Sequence, residues 1–134
     1  MIGIVIVAHG GLATEYLNAV EHVVGKQKGV RAIPIQAEED RGAKQIEICE
    51  AADAVDSGQG VVIVTDMFGG SPSNLSLLAC NCDNRRILYG ANLPMLVKLA
   101  KSRKKTVPEA VNAALEAGRK YINAHMMTGG DAGS

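Results

Sequence analysis

Short apolar runs alternate with helical patterns along this chain, and that alternation restricts its possible folds more than any other feature. The first run, Ile2 to Ala8, is uninterrupted, which is typical of a strand buried on both faces of a sheet. A second run of the same kind covers residues 60–65. Strands that alternate with helices predict an α/β fold, a doubly wound and mainly parallel sheet with helices on both faces.

Periodicity, caps and breakers predict the remaining elements. We expect strands at residues 2–8, 30–35, 60–65 and 87–91, and helices at about 13–25, 41–57, 71–82, 95–103 and from 107 onward. Pro34 favours an edge position for the second strand, because a proline cannot donate to a ladder. Right-handed crossovers then give a four-stranded sheet of order 2-1-3-4, whose switch point lies between strands 1 and 3.

Composition argues against several classes of protein. The 134 residues suffice for one domain, and fourteen basic and fourteen acidic residues give zero formal net charge, which argues against a nucleic-acid binder. The basic run 98–105 is interpreted as a solvated helix end and loop, with a docking patch for an acidic partner as the alternative. The three cysteines have neither the number nor the spacing of a disulfide framework or a zinc site, so we interpret them as reduced thiols.

The sequence also carries no sign of export or of a bound cofactor. Met1 leads directly into the first strand, and no apolar stretch approaches the roughly 18 residues of a membrane span. We therefore expect a cytoplasmic protein without direct membrane insertion. Metal-ligand spacing, a Walker-type lysine loop and a G-x-G-x-x-G fingerprint are all missing, so we expect no metal and no cofactor.

The candidate site combines a histidine, a carboxylate and a glycine-rich helix start. His9 ends the first apolar run and Asp66 follows the second, so both are expected at the carboxyl edge of the sheet. A carboxylate bonded to one ring nitrogen would fix the tautomer and leave the other nitrogen's lone pair outward. Ser71 is expected to cap the next helix, and the amides of Gly69, Gly70 and Ser71 suit a phosphoryl group. We predict His9 and Asp66 as catalytic residues and the other three as phosphate-binding residues.

Each feature also has a purely structural interpretation. His9 alone fits a hydrogen-bonded histidine at a strand end, Asp66 a turn or helix cap, and the glycines an ordinary tight turn. The acidic segment 38–40 follows strand 2 at the same edge and is interpreted as a solvated loop, with a cation site as the alternative. Glycines around His9 predict a shallow crevice without the polar ring that a sugar site needs, so we expect no activity on free sugars.

Three segments together resemble the mannose-type enzyme IIA domain of the bacterial phosphoenolpyruvate-dependent sugar phosphotransferase system. They are residues 4–10 (IVIVAHG), 65–74 (TDMFGGSPSN) and 90–96 (GANLPML). The resemblance covers about residues 1–123 and leaves 124–134 as a C-terminal segment. It implies a phosphocarrier in which His9 accepts phosphate from phospho-HPr and passes it to a IIB component. Asp66 would match the family's histidine-orienting carboxylate, and Ser71 the hydroxyl beside the phosphate.

The resemblance implies protein partners as well. They are HPr, a IIB component, and a second copy in a homodimer that exchanges a fifth strand, for which the apolar Ala124, Met126 and Met127 are candidates. Association with a membrane permease complex is left open, and the IIB acceptor is expected on a separate protein, with a missing acceptor as the alternative. Two alternatives also stay open: the related phosphocarrier of dihydroxyacetone kinase, and a non-catalytic regulator whose phosphorylation state controls binding to a target protein.

Overall fold

Strands and helices alternate along most of the chain in a computed structural model, which describes residues 1–67, 69–80 and 84–127. The elements in chain order are β1 (Gly3–His9), α1 (Leu12–Val24), β2 (Val30–Ile35), α2 (Arg41–Val55), β3 (Val61–Thr65), α3 (Ser71–Ser76), a 3₁₀ helix (Leu77–Cys80), β4 (Arg85–Leu88), α4 (Leu93–Lys101) and α5 (Val107–Lys120). Predicted residues 81–82 of the third helix, Phe68 of the second motif and residues 128–134 of the C-terminal segment lie outside the described residues.

The described strands form one sheet of order β2-β1-β3-β4, and every neighbouring pair is parallel. The predicted fold class and strand order are therefore confirmed. β2 lies at an edge, as Pro34 indicated, and pairs with β1 in a register that sets His9 opposite Ile35. β1 has β3 on its other side, with Val7 opposite Thr65. The switch point therefore lies between the carboxyl ends of β1 and β3.

Two apolar clusters cover the two faces of the sheet. On one face, Ile4 and Ile6 of β1 belong to a cluster that includes buried residues of α1, α4 and α5. On the other, Val5 and Val7 belong to a cluster with buried residues of α2 and α3. All residues of β1 are buried except His9. Burial on both faces explains the uninterrupted apolar run and leaves His9 as the polar end of a core strand.

The fourth strand begins earlier than predicted. We expected residues 87–91, but β4 covers Arg85–Leu88. The prediction is wrong because the side chain of Arg85 is buried, at 6% exposure, where its Nη2 lies 2.9 Å from Asp53 Oδ1 and 3.1 Å from Asp56 Oδ2. Its Nη1 also donates to the Ala79 carbonyl at 3.0 Å. Carboxylates from α2 and the turn after it therefore allow an arginine to begin a strand.

The basic run 98–105 is only partly the solvated segment that we expected. Arg103 is 4% exposed, and it donates to the carbonyls of Ile2 at 2.7 Å and Gly29 at 3.2 Å. A third bond joins it to the Gln27 side chain at 3.2 Å. The expectation is wrong for this residue, because its guanidinium satisfies carbonyls at the start of β1 and before β2.

The third motif of the resemblance has a clear structural role. Asn92 Oδ1 accepts from the Met95 amide at 3.0 Å and so caps α4. Its Nδ2 donates to the Gly118 carbonyl near the end of α5, at 2.9 Å. The Ala91 amide donates to the Thr65 carbonyl at 3.0 Å, which joins this motif to the end of β3. One asparagine therefore joins the start of α4 to the end of α5 at the edge that carries the site.

Candidate active site

His9 and Asp66 lie together at the predicted edge of the sheet. His9 Nδ1 is 2.7 Å from Asp66 Oδ2, and the same oxygen accepts from the His9 backbone amide at 2.9 Å. The His9 side chain is 47% exposed, whereas the Asp66 side chain is only 9% exposed. The other carboxylate oxygen, Oδ1, is buried without a hydrogen-bond partner within the described part of the chain. The hydrogen bonds of the carboxylate are therefore directed at His9, and ring nitrogen Nε2 remains available.

Opposing effects act on the pKa of Asp66. Burial raises this pKa. Hydrogen bonds from the His9 backbone and ring, and the electrostatic attraction to His9, outweigh burial and leave the pKa below its ordinary value. An ionised carboxylate at this position keeps the proton of the imidazole on Nδ1. The geometry therefore supports a histidine whose Nε2 can act as a nucleophile.

The glycine-rich turn approaches the free side of the His9 ring. A Cβ atom on Gly70 would lie 3.2 Å from His9 Cε1 and 3.7 Å from Nε2, so a side chain there would crowd the ring. Gly69 has a φ of +85°, in the region that favours glycine. Of the predicted residues, the structure therefore brings Gly70 close to His9, while Gly69 forms the turn before it.

Ser71 lies near His9 but does not cap the helix. Gly70 is the cap residue of α3, in an extended conformation, and no side-chain cap bond is present. The predicted cap is wrong because the cap position falls one residue earlier: the Asn74 amide donates to the Gly70 carbonyl at 3.0 Å, so Ser71 is the first helical residue. Ser71 Oγ accepts from Arg41 Nη1 at 3.3 Å. Its own hydroxyl hydrogen remains available for donation. Ser71 and Arg41 line a cavity that His9 also lines.

That cavity has a volume of about 390 Å³ and is more polar than we expected. The glycines around His9 predicted a shallow crevice without the ring of polar side chains that a sugar site needs. This expectation is wrong, because the loop before α2 and the start of that helix contribute Gln36, Glu39, Arg41 and Lys44 to the lining. Ser71 of α3 adds a further polar side chain. The residues that the sequence did not single out are Arg41 and Lys44, which follow the acidic segment 38–40 in the first turns of α2.

The acidic segment itself is not simply a solvated loop. Asp40 caps α2 by accepting from the Ala43 amide at 3.2 Å. Glu39 Oε2 lies 3.4 Å from Lys44 Nζ, and Lys44 also approaches Glu47 Oε1 at 2.8 Å. Lys44 is therefore an internal counter-charge for the loop. No group of three or more His, Cys, Asp or Glu residues that could hold a metal ion occurs among the described residues.

Tyr16 is a further residue near the carboxylate that the sequence did not single out. Its hydroxyl donates to the Ala91 carbonyl at 3.2 Å. Burial, followed by the charge of Asp66, raises the pKa of the phenol above its ordinary value. Tyr16 therefore remains a protonated donor and does not compete as a base.

The fold and this site define a class: an α/β protein with a carboxylate-oriented, solvent-accessible histidine at the switch point of a parallel sheet. Comparison with known proteins gives the family. A protein-family model described as "PTS system fructose IIA component" matches residues 3–116 of this chain. The chain belongs to this mannose-type family of phosphotransferase-system IIA components.

Relatives and solved structures agree with that assignment. The "PTS system mannose-specific EIIAB component" of Escherichia coli K12 is 30% identical over 126 residues, which are 92% of this chain and 39% of the relative. The chain thus spans about two fifths of that relative's length. The EIIA component from Streptococcus agalactiae has a TM-score of 0.82 at 26% identity, with 92% of this chain and 97% of that chain covered.

The IIA protein associated with the fucose utilization operon of Streptococcus pneumoniae has a TM-score of 0.78 at 31% identity, with 90% of this chain and 91% of that chain covered.

None of the helices within residues 1–67, 69–80 and 84–127 has the length and hydropathy of a membrane span.

Proposed function

We propose that this chain is a phosphocarrier: His9 accepts a phosphoryl group from phospho-HPr and passes it to a IIB component. The main support for this proposal is the 2.7 Å contact between His9 Nδ1 and Asp66 Oδ2, together with the 47% exposure of the His9 side chain. With Nδ1 engaged and the ring open to solvent, Nε2 is the nitrogen available to another protein.

The proposed transfer exchanges one phosphorus–nitrogen bond for another. The lone pair of His9 Nε2 attacks phosphorus, the bond to the donor imidazole breaks, and its electron pair returns to the donor nitrogen. The Nδ1 proton stays between His9 and Asp66, whose negative charge balances the positive charge that the ring gains. Transfer to a IIB component is the same exchange with His9 as the leaving group. No metal or cofactor is required for this balance.

An apolar rim around His9 supports a protein partner. Leu12, Met67 and Leu93 are exposed large hydrophobic residues, and each follows the carboxyl end of a strand, β1, β3 and β4 respectively. Exposed apolar side chains that gather at one surface, with polar residues beside them, are typical of protein-binding surfaces. We propose that HPr and IIB bind in turn at this rim, in the cytoplasm.

We also propose a homodimer. Tyr121, Ile122, Met126 and Met127 are all exposed after α5, and β4 is an edge strand with no second neighbour in the described sheet. An unpaired edge and an apolar segment are the two components that a strand exchange needs.

Phosphorylation in a reconstituted system tests the proposed function. The chain is incubated with phosphoenolpyruvate, enzyme I and HPr, and the adduct is treated with acid and base. We expect a phosphoramidate that acid destroys and base preserves, present in the wild type and absent in His9→Ala. His22→Gln is the matched control, because His22 is an exposed histidine on α1 and should retain the label. Label that persists in His9→Ala contradicts the proposal.

A further inference from the structure

Arg41 is the first residue of α2, and its guanidinium reaches across the cavity beside His9. Nη1 donates to Ser71 Oγ at 3.3 Å. Ser71 directly follows Gly70, whose Cα approaches the His9 ring closely enough that a Cβ would lie 3.7 Å from Nε2. Arg41, Ser71 and His9 all line the same cavity. The guanidinium is thus joined by one hydrogen bond to the residue next to the free side of the imidazole.

Arg41 forms no ion pair with a carboxylate among the described residues. Among the described residues, no Asp or Glu oxygen lies within 4.0 Å of its guanidinium nitrogens, the distance that would make an ion pair. Lys44, the other cation of the cavity, differs in this respect because Glu39 and Glu47 both lie within that distance. A guanidinium has five N–H donors, and the bond to Ser71 uses one of them.

Helix stability does not explain an arginine at this position. The first turn of a helix carries partial positive charge, so a cation there is mildly unfavourable and an acidic residue is preferred. α2 has no acidic residue in its first turn and relies on Asp40 for its cap. The arginine is exposed, so packing does not require it either.

We propose that Arg41 is a phosphate-binding residue of this site, which contacts the phosphoryl oxygens when His9 carries the group and thereby favours the phosphorylated form. This inference rests on the proposed function. A phosphoryl group brings about −1.5 to −2 of charge next to the ionised Asp66. Planar guanidinium groups bind phosphate oxygens through paired N–H donors, and the bond to Ser71 holds this one at the cavity. The Ser71 hydroxyl can donate to the same group.

The equilibrium with the donor gives the first test. The full chain, Arg41→Gln, Arg41→Lys and the control Arg119→Gln are each equilibrated with phospho-HPr, and the phosphorylated fractions of both proteins are measured. Arg41→Gln should lower the equilibrium constant for phosphorylation about tenfold, since one charged hydrogen-bond pair is lost. Arg41→Lys should lower it less, because the charge remains. Arg119 is an exposed arginine on α5 outside the cavity and should have no effect.

A ³¹P titration of the phosphorylated chain separates phosphate contact from partner binding. A guanidinium beside the phosphoryl group lowers its pKa, so Arg41→Gln should raise that pKa and Arg119→Gln should not. If wild type and Arg41→Gln share both the equilibrium constant and the phosphoryl pKa, the role of Arg41 is overturned while the phosphocarrier function stands. If wild-type His9 takes no phosphate, the proposed function itself fails.

Discussion

At the scale of single residues, Asp66 Oδ2 accepts two hydrogen bonds from the same histidine, one from the backbone amide and one from ring Nδ1. The carboxylate therefore fixes both the end of β1 and the orientation of the ring. Its other oxygen has no partner within the described residues. A group with this bonding pattern contributes to the orientation and charge of His9 more than to the core.

We predict that Asp66→Asn slows phosphoryl transfer from phospho-HPr by about 10²-fold or more, because the charge that balances the phosphorylated imidazole is lost. Asp66→Ala should be at least as slow, since it also removes the acceptor. Rapid-quench measurements give the rates, and circular dichroism checks that the fold is retained. Glu50→Gln is the control, an exposed carboxylate on α2. A wild-type rate in Asp66→Asn removes Asp66 from the proposed mechanism.

The lowered pKa of Asp66 predicts a pH dependence of stability. A carboxyl whose folded pKa lies below its unfolded value of about 3.9 stabilises the protein above that value. This contribution is lost as the pH falls through the folded pKa. The free energy of unfolding of wild type should exceed that of Asp66→Asn at pH 5, and the difference should shrink toward pH 2. Urea titrations measure it, and a difference that stays constant over this range disagrees with the assigned shift.

At the scale of elements, apolar periodicity was enough to predict β1, β2 and β3 nearly to the residue. It failed at β4, because a buried arginine that is neutralised by two aspartates has no signature in hydropathy. It failed again at Arg103, whose carbonyl partners are more than seventy residues away in sequence. At the site, the positions of the strand ends predicted the His9–Asp66 pair. The cavity lining by Arg41 and Lys44 depends on the conformation of the loop before α2, which strand periodicity does not predict.

Arg103 permits a direct test of these long-range contacts. We predict that Arg103→Gln lowers the free energy of unfolding by roughly 2–4 kcal/mol, since the carbonyls of Ile2 and Gly29 lose buried donors. The neighbouring Lys104 is exposed, and Lys104→Gln should change stability by less than about 0.5 kcal/mol. Chemical unfolding of both variants provides the comparison. Equal stabilities would mean that Arg103 is not needed to join β1 and β2 to the segment after α4.

At the scale of the whole molecule, the site lies at the carboxyl edge of the sheet, and a segment with exposed apolar residues follows α5. We predict that the full chain is a homodimer and that a chain ending at residue 123 is monomeric at the same micromolar concentration. Light scattering should give twice the 14.0 kDa chain mass for the first and a single mass for the second. A monomeric full chain would exclude the strand exchange.

The most direct test of the proposed phosphocarrier mechanism is the position of the phosphate on the histidine ring. Because Asp66 engages Nδ1, we expect the proposed phosphoryl group on Nε2 of His9. We propose to measure ³¹P–¹⁵N couplings in the phosphorylated, histidine-labelled protein, which distinguish the two ring nitrogens. We expect coupling to Nε2 of His9, with Nδ1 still protonated. Coupling to Nδ1, or to a nitrogen of His22 or His125, would contradict it.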